Sequence, residues 1–221
     1  MESFFTKIYD NCEWGDNGSS KYRGSSGGGS SVETNEVYTQ HIRELIQQYD
    51  IQSVVDLGCG DWQSSHLIYK DLPNVKYTGY DCYKPMIESN KAQFSESHPQ
   101  CEFVSLDIFN DRQQIKDAEL YILKDILQHW TCSEIKTFLD WIATKPFRSV
   151  IVCNCKGQTY DYQDEPFRSR PLSVTYYPLK RYPLMKWFEY GTKEVSGWSA
   201  SHYDTVTKEH TPQELLDAIV E

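Results

Sequence analysis

Four residues between positions 56 and 81 carry the first sign of chemistry. Asp56, Gly58 and Gly60 stand at alternate positions in the stretch from Ser53 to Trp62, and Asp81 follows about 20 residues after the glycines, where dinucleotide folds place a ribose acid. The β-branched pair Val54-Val55 ends in an acid, two glycines come next, and a helical pattern runs from Gln63 to Tyr69. That is a buried strand turning sharply into a helix start, where glycines let a ligand lie against the backbone. Asp81 closes the next strand-like run, Val75 to Tyr80, where a carboxylate can grip a ribose. The ligand is therefore nucleotide-like.

Small differences decide which nucleotide. A dinucleotide fingerprint needs a glycine three residues after Gly60, and Gln63 stands there. Asp56 repels a pyrophosphate and welcomes a cationic amino-acid ligand. The order Asp-x-Gly-x-Gly, followed by an acid ending the second strand, resembles the class I S-adenosylmethionine-dependent methyltransferases. The resemblance implies an α/β, Rossmann-like fold: a mostly parallel seven-stranded sheet with helices on both faces and an antiparallel last strand. The sequence departs from that pattern at Trp62, where the family has a third glycine. The indole must turn aside, either packing beneath a lid or walling a substrate pocket.

The elements that position this site begin at the N-terminus. Met1 to Cys12 reads as a short amphipathic helix with Phe4, Phe5 and Ile8 on one side. Glu13 to Ser31 is rich in Gly and Ser, either a flexible spacer or a lid that orders over a cofactor. Trp14, Tyr22 and Arg23 are odd in a pure spacer. The order Trp14-Gly15, Ser26-Gly27-Gly28-Gly29-Ser30, then Thr34 and Arg43 resembles the N-terminal lid of small methyltransferases associated with glycan modification. Carried over, Trp14, Ser26, Gly27, Gly28 and Ser30 belong to the cofactor site, with Gly27 to Ser30 against its carboxylate. Arg43 is either a partner of that carboxylate or a structural charge. The helix from Val32 to Tyr49 places Val37, Ile42, Leu45 and Ile46 on one stripe.

The same resemblance distributes further roles. Cys59, in the glycine turn, belongs to the cofactor site, as does Cys82 beside ribose or adenine, there as a small packing residue rather than a reactive one. Asp61 either accepts from the cofactor's amino group or caps the helix from Gln63. Asp107, after the strand Cys101 to Leu106, either bonds the adenine amino group or is a turn residue, with Ile108 flanking the ring. Strand Ala118 to Leu123 ends in Lys124-Asp125-Ile126-Leu127-Gln128-His129-Trp130, a block like the family's segment after strand four, which aims Lys124, Asp125 and His129 near the methyl group. Methyl transfer to a hydroxyl needs alignment and removal of one proton. A neutral imidazole suits that task near neutrality, so His129 is one candidate base; Asp125 is the other, or the group that orients the acceptor. A histidine there can equally do no more than pack beside the cofactor.

Ser133 to Thr144 is an amphipathic helix burying Ile135, Phe138, Leu139 and Ile142, and Ser149 to Cys155 is strand five. Residues 156–182 lack periodicity, and a long irregular insertion usually has a function. They resemble the acceptor loop of the same group, with Asn154, Asp161 or Asp164, and Arg170-Pro171-Leu172 toward the substrate. Aromatic residues, Trp198 among them, offer sugars stacking faces. A divalent metal held by Asp125, Asn154 and Asp161 or Asp164 is possible but not favoured. Leu184 to Tyr190 and Tyr203 to Lys208 read as two antiparallel strands around a turn at Ser196-Gly197-Trp198 and Ser199 to His202. A last helix starts at Thr211-Pro212.

Composition limits the rest. At 221 residues the chain suits one α/β unit: residues 1–50 as N-terminal helices and cofactor lid, 51–221 as the core. A net charge of −10 without a basic run argues against nucleic acid and anionic membranes. Seven cysteines without regular spacing, no leader pattern and no long apolar run point to a cytoplasmic protein. The favoured reaction is methyl transfer from S-adenosylmethionine to a hydroxyl of a sugar or glycan. The alternatives are a small-molecule or protein-side-chain acceptor, and a non-catalytic S-adenosylmethionine-binding regulator. The sequence leaves the oligomeric state open.

Overall fold

A computed structural model describes residues 2–18, 24–164 and 169–199. The chain divides into two compact units, Met1–Glu119 and Leu120–Glu221. The first contains α1 (Glu2–Asp10), α2 (Val32–Gln48), β1 (Ser53–Leu57), α3 (His66–Tyr69), β2 (Lys76–Asp81), α4 (Lys84–Phe94) and β3 (Cys101–Ser105). β2 pairs in parallel with both β1 and β3. Four of the five residues of β1 and five of the six of β2 are buried. β-branched and aromatic residues, Val54, Val55, Tyr77 and Tyr80 among them, fill these buried positions.

Two helices differ from expectation. In α2 the buried residues are Asn35, Tyr38, Thr39, Ile42 and Ile46, while Val37 is 45% exposed. Tyr38 lies one full turn before Ile42 and takes the inward face that Val37 misses by one position. Helix α3 begins only at His66, because residues 61–65 are spent in the turn after the glycines.

The second unit contains β4 (Leu120–Lys124), α5 (Cys132–Ile142), β5 (Ser149–Cys155), β6 (Met185–Tyr190) and β7 (Lys193–Ser199). β4 and β5 are parallel; β7 runs antiparallel to both β5 and β6. Thr131 and Glu134 close a capping box on α5, and Ile135, Phe138, Leu139 and Ile142 are buried as the periodicity predicts. The loop 156–182 has one short 3-10 turn, Leu179–Arg181, as its helical structure among the described residues.

The C-terminal strands need a correction. Gly191, at φ 47°, and Thr192 form a two-residue turn, so the return strand starts at Lys193. Ser196, Gly197 and Trp198, expected in a turn, lie inside β7, with Trp198 opposite Val150. Tyr203 to Lys208, His202 and the helix from Thr211 lie outside the described residues. The strand order over the chain is β3-β2-β1-β4-β5-β7-β6, a seven-stranded, mostly parallel sheet. Among the described residues no helix is long and apolar enough to cross a membrane. All seven cysteines are free thiols.

Candidate active site

In the first unit the chain leaves β1 and turns at Gly58 (φ 85°) and Gly60 (φ 58°), the left-handed region where a Cβ is strained. The turn is tied to β2: the Gly58 and Cys59 amides donate to the Tyr80 carbonyl at 2.8 and 3.0 Å. Gly60 N donates to Asp81 Oδ2 at 3.2 Å, and Tyr83 N to Oδ1 at 3.1 Å. A side chain at Gly79 in β2 would meet Cys59 Cβ at 2.9 Å, so this glycine makes room for the turn. Burial pushes the Cys59 thiol well up, with the Asp81 and Asp56 carboxylates adding to the rise, so Cys59 packs rather than reacts.

Asp81 is 9% exposed, and burial pushes its carboxyl up to about 6; the Tyr83, Gly60 and Cys82 amides hold the rise in check. An ionised carboxylate accepts about four hydrogen bonds, which leaves capacity for ligand hydroxyls. Asp56 is also buried, and its carboxylate accepts from the Tyr77 hydroxyl of β2 at 2.9 Å. Asp107 has assembled a turn: its Oδ1 accepts from the Phe109 and Asn110 amides, both at 3.0 Å, and its Oδ2 from the Asn110 side chain at 2.9 Å. Ile108 is buried beside it in sequence, and Cys82 is half-buried.

The described part of the Gly/Ser segment is packed onto this turn. Ser26 N donates to Asp61 Oδ2 at 3.0 Å, and Asp61 N donates to Ser26 Oγ at 2.9 Å. A Cβ on Gly60 would lie 2.6 Å from Ser26 Oγ. Tyr9 bonds Ser26 Oγ at 2.9 Å and stacks on Tyr83 with ring centroids 4.7 Å apart, while Trp14 meets Tyr9 edge-on. Gly28 and Ser30 form a 3-10 turn, braced by Asn35, which donates to the Gly29 and Ser31 carbonyls at 2.7 and 2.9 Å. Gly27, at φ 82°, lies against Trp14. Tyr22 and Arg23 lie outside the described residues.

Three expectations are decided by these contacts. Asp61 does not cap α3; its Oδ2 also takes Gln63 Nε2 at 2.7 Å, and its Oδ1 is buried with no partner. That orphaned acceptor suits a ligand with an ammonium group. Arg43 donates to the Leu67 carbonyl and pairs with Asp71 at 3.4 Å, so it is a structural tie. Trp62 takes φ 56° and buries its indole among Tyr69, Tyr77, Phe94, His98 and Phe103, at centroid distances of 4.8 to 6.0 Å. It neither walls a pocket nor lies under the lid; it is a core residue.

In the second unit, Lys124 ends β4 and Asp125 turns the chain at φ 60°. Asp125 Oδ2 accepts from Lys124 Nζ at 2.9 Å and Oδ1 from Lys193 Nζ. Burial would raise the Asp125 carboxyl, but the Lys124 and Lys193 ammonium groups override it and hold it below the ordinary carboxylate range. His129 closes the 3-10 turn Leu127–His129 and is half-buried. Asn154 is 2% exposed, and its Oδ1 has no partner.

The remaining expected substrate residues have structural partners. Asp161 is exposed and accepts from Tyr177 N at 2.7 Å and from Lys180. Asp164, also exposed, takes the amide and hydroxyl of Ser133 at the start of α5. Arg170 is buried, 4.5 Å over the Tyr162 ring, and donates to the Trp130 carbonyl at 3.1 Å and to Cys132 Sγ at 3.2 Å. Trp198 is buried against Phe147 and Tyr182. Among the described residues no three His, Cys, Asp or Glu are grouped to hold a metal ion. Lys193 is the residue that sequence reasoning missed; a lysine two residues after a turn glycine carries no local signal of burial.

The strand order, the glycine turn and its partnered acid define a Rossmann-like α/β fold with a nucleotide-type turn. An O-methyltransferase domain model matches residues 5–167. The chain belongs to that S-adenosylmethionine-dependent family. It is 23% identical over 219 residues to O-methyltransferase 12 of Dictyostelium discoideum, covering 91% of this chain and 58% of the relative. It is 27% identical over 106 residues to the 6-hydroxytryprostatin B O-methyltransferase of Aspergillus fumigatus, covering 47% of this chain and 30% of the relative. Human N-acetylserotonin methyltransferase, solved with S-adenosylmethionine, is similar in fold, with a TM-score of 0.52 and 18% identity over 73% of this chain and 54% of that one. The chain thus spans little more than half of the Dictyostelium protein.

Proposed function

We propose that this protein transfers a methyl group from S-adenosylmethionine to an acceptor hydroxyl. The observation that carries the reading is the buried Asp81 carboxylate bonded to the Gly60 amide, which fixes an acid against a glycine turn where it would accept from a ribose. Asp81 would hold the ribose, Gly58 and Gly60 would give the backbone room, and Asp61 Oδ1 would take the amino group. Ser26, Gly27, Gly28 and Ser30 would cover the amino-acid arm. Trp14 braces that cover from behind. The bound cofactor supplies a methyl already activated by a positive sulfur.

The protein's own task is then to orient the acceptor and remove its proton. His129 is the base in this reading, because Asp125 has both oxygens on ammonium groups and a depressed carboxyl. Asp125 orients, and the unpartnered Asn154 Oδ1 is an acceptor for a donating hydroxyl. A sugar or glycan hydroxyl is the proposed acceptor, supported by the tyrosines of the loop, of which Tyr160 is 65% exposed and meets Tyr162 edge-on. The name of the Aspergillus relative favours a second reading, a hydroxyl on a small aromatic molecule.

A panel of sugars, nucleotide sugars and hydroxylated aromatics, incubated with methyl-deuterated S-adenosylmethionine and read by mass spectrometry, separates the two. His129→Ala should lose turnover by about 10²- to 10⁴-fold while still binding S-adenosylhomocysteine. Full turnover in that variant removes the base assignment.

A further inference from the structure

We propose that Lys193, the first residue of β7, is the positioning residue that fixes Asp125 and with it the loop carrying His129. The inference rests on the proposed role of His129, and it adds a residue from a strand remote in sequence.

Asp125 stands at the first position after β4 with φ 60°, a region that a residue with a Cβ enters against steric cost. Such a conformation lasts only where its surroundings hold it, and it is common at functional sites. Three contacts hold this one. The Asp125 amide donates to the Cys153 carbonyl at 2.8 Å, Lys124 Nζ donates to Oδ2 at 2.9 Å, and Lys193 Nζ donates to Oδ1. Lys124 is the chain neighbour of Asp125 and moves with it. Lys193 comes from β7, where the antiparallel register sets it opposite Cys155 at the carboxyl end of β5. Ligands of open α/β sheets lie beyond those strand ends.

Lys193 is itself fixed. It is 6% exposed, and its Nζ lies 3.2 Å from Cys155 Sγ. Burial would lower its ammonium, but the Asp125 carboxylate overrides this and raises it, so both partners favour the ion pair. The other titratable groups here are Cys153 and Tyr190, whose Sγ and hydroxyl are 3.6 Å apart. Burial and the Asp125 carboxylate push the Cys153 thiol to about 12, so it stays neutral.

The loop after Asp125 is anchored to the same strand end. Leu127 is fully buried, and Gln128 Oε1 accepts from Cys155 N at 2.9 Å. His129 follows within one 3-10 turn. Releasing Oδ1 removes one of the three contacts on the first residue of this loop and leaves Leu127 and Gln128 pinned, so the expected effect is a tilt of the imidazole rather than unfolding of the segment.

The test compares Lys193→Met, Lys193→Arg and wild type by carbon-detected titration of the Asp125 carboxyl and by the His129 imidazole resonances. Lys193→Met should move the Asp125 titration upward and shift the His129 signals, and Lys193→Arg should restore both. S-adenosylhomocysteine affinity should hold in all three, while kcat on an acceptor that the wild type methylates falls about 10- to 100-fold in Lys193→Met and recovers in Lys193→Arg. Should Lys193→Met fail to fold, Lys193→Gln gives the same comparison. Unchanged Asp125 titration and His129 resonances in a folded Met or Gln variant overturn the proposal. Absence of turnover in wild type with every acceptor would instead sink the proposed reaction, and the two resonance measurements would still decide the positioning role.

Discussion

Cofactor affinity should depend on pH through one carboxyl group. Asp81 rises from an ordinary value near 3.8 to about 6 because it is buried. Its folded form therefore holds a proton that the unfolded chain has lost, and the empty protein loses stability as pH rises from about 4 to about 6. A ribose donates to the ionised carboxylate, so binding is favoured above that range and opposed below it. With a titration near 6, about a tenth of the molecules are ionised at pH 5, and affinity for S-adenosylhomocysteine should be about tenfold weaker there than at pH 7.5. Asp81→Asn should flatten this dependence and weaken binding at neutral pH by about 2 kcal/mol, roughly 30-fold, the worth of hydrogen bonds to a charged group. Isothermal titration calorimetry at half-unit pH steps measures both. A flat profile in wild type, or the same slope in Asp81→Asn, would refute the assignment of Asp81 as the ribose acceptor.

Other substitutions follow from the packing. Trp62→Ala should cost about 3–5 kcal/mol in chemical denaturation, as for a large core side chain. Trp62→Gly should be more stable than Trp62→Ala by about 1 kcal/mol, since glycine relieves the left-handed strain at φ 56°. Gly60→Ala should break the Ser26–Asp61 pairing, because the new Cβ meets Ser26 Oγ at 2.6 Å; faster amide exchange at Ser26 and weaker S-adenosylhomocysteine binding are the readouts. Arg43→Ala should leave cofactor affinity unchanged and cost no more than about 1 kcal/mol of stability, the range of a partly exposed pair.

The sequence was most legible where local pattern and buried structure coincide. Val54 to Asp56, Gly58 and Gly60, and the run ending in Asp81 announced two strands and a turn, since β-branched and aromatic residues such as Val54, Val55, Tyr77 and Tyr80 favour buried strands. Helix α5 was legible through its periodicity, while its capping box, Thr131 with Glu134, emerged from the structure. Trp62 was legible as a departure, but its destination depends on five aromatic neighbours distributed from Tyr69 to Phe103. The same limit applies to Asp161, Asp164 and Arg170, whose partners on α5 and in the loop are set by tertiary contacts. Lys193 is the extreme case: its partner lies 68 residues away, and nothing nearby in sequence marks a buried ammonium. The strand β7 was misplaced because Ser196-Gly197 has turn composition, while the actual turn at Gly191 is only two residues long.

The central claim is that one buried acid holds the ribose of the cofactor while two glycines make room for its amino-acid arm. A crystal structure of the protein with S-adenosylhomocysteine tests it most directly. The account predicts both ribose hydroxyls on the Asp81 carboxylate, with the amino-acid arm passing over Gly58 and Gly60 toward Asp61. Density for the nucleoside anywhere else, or none under saturating ligand, contradicts it.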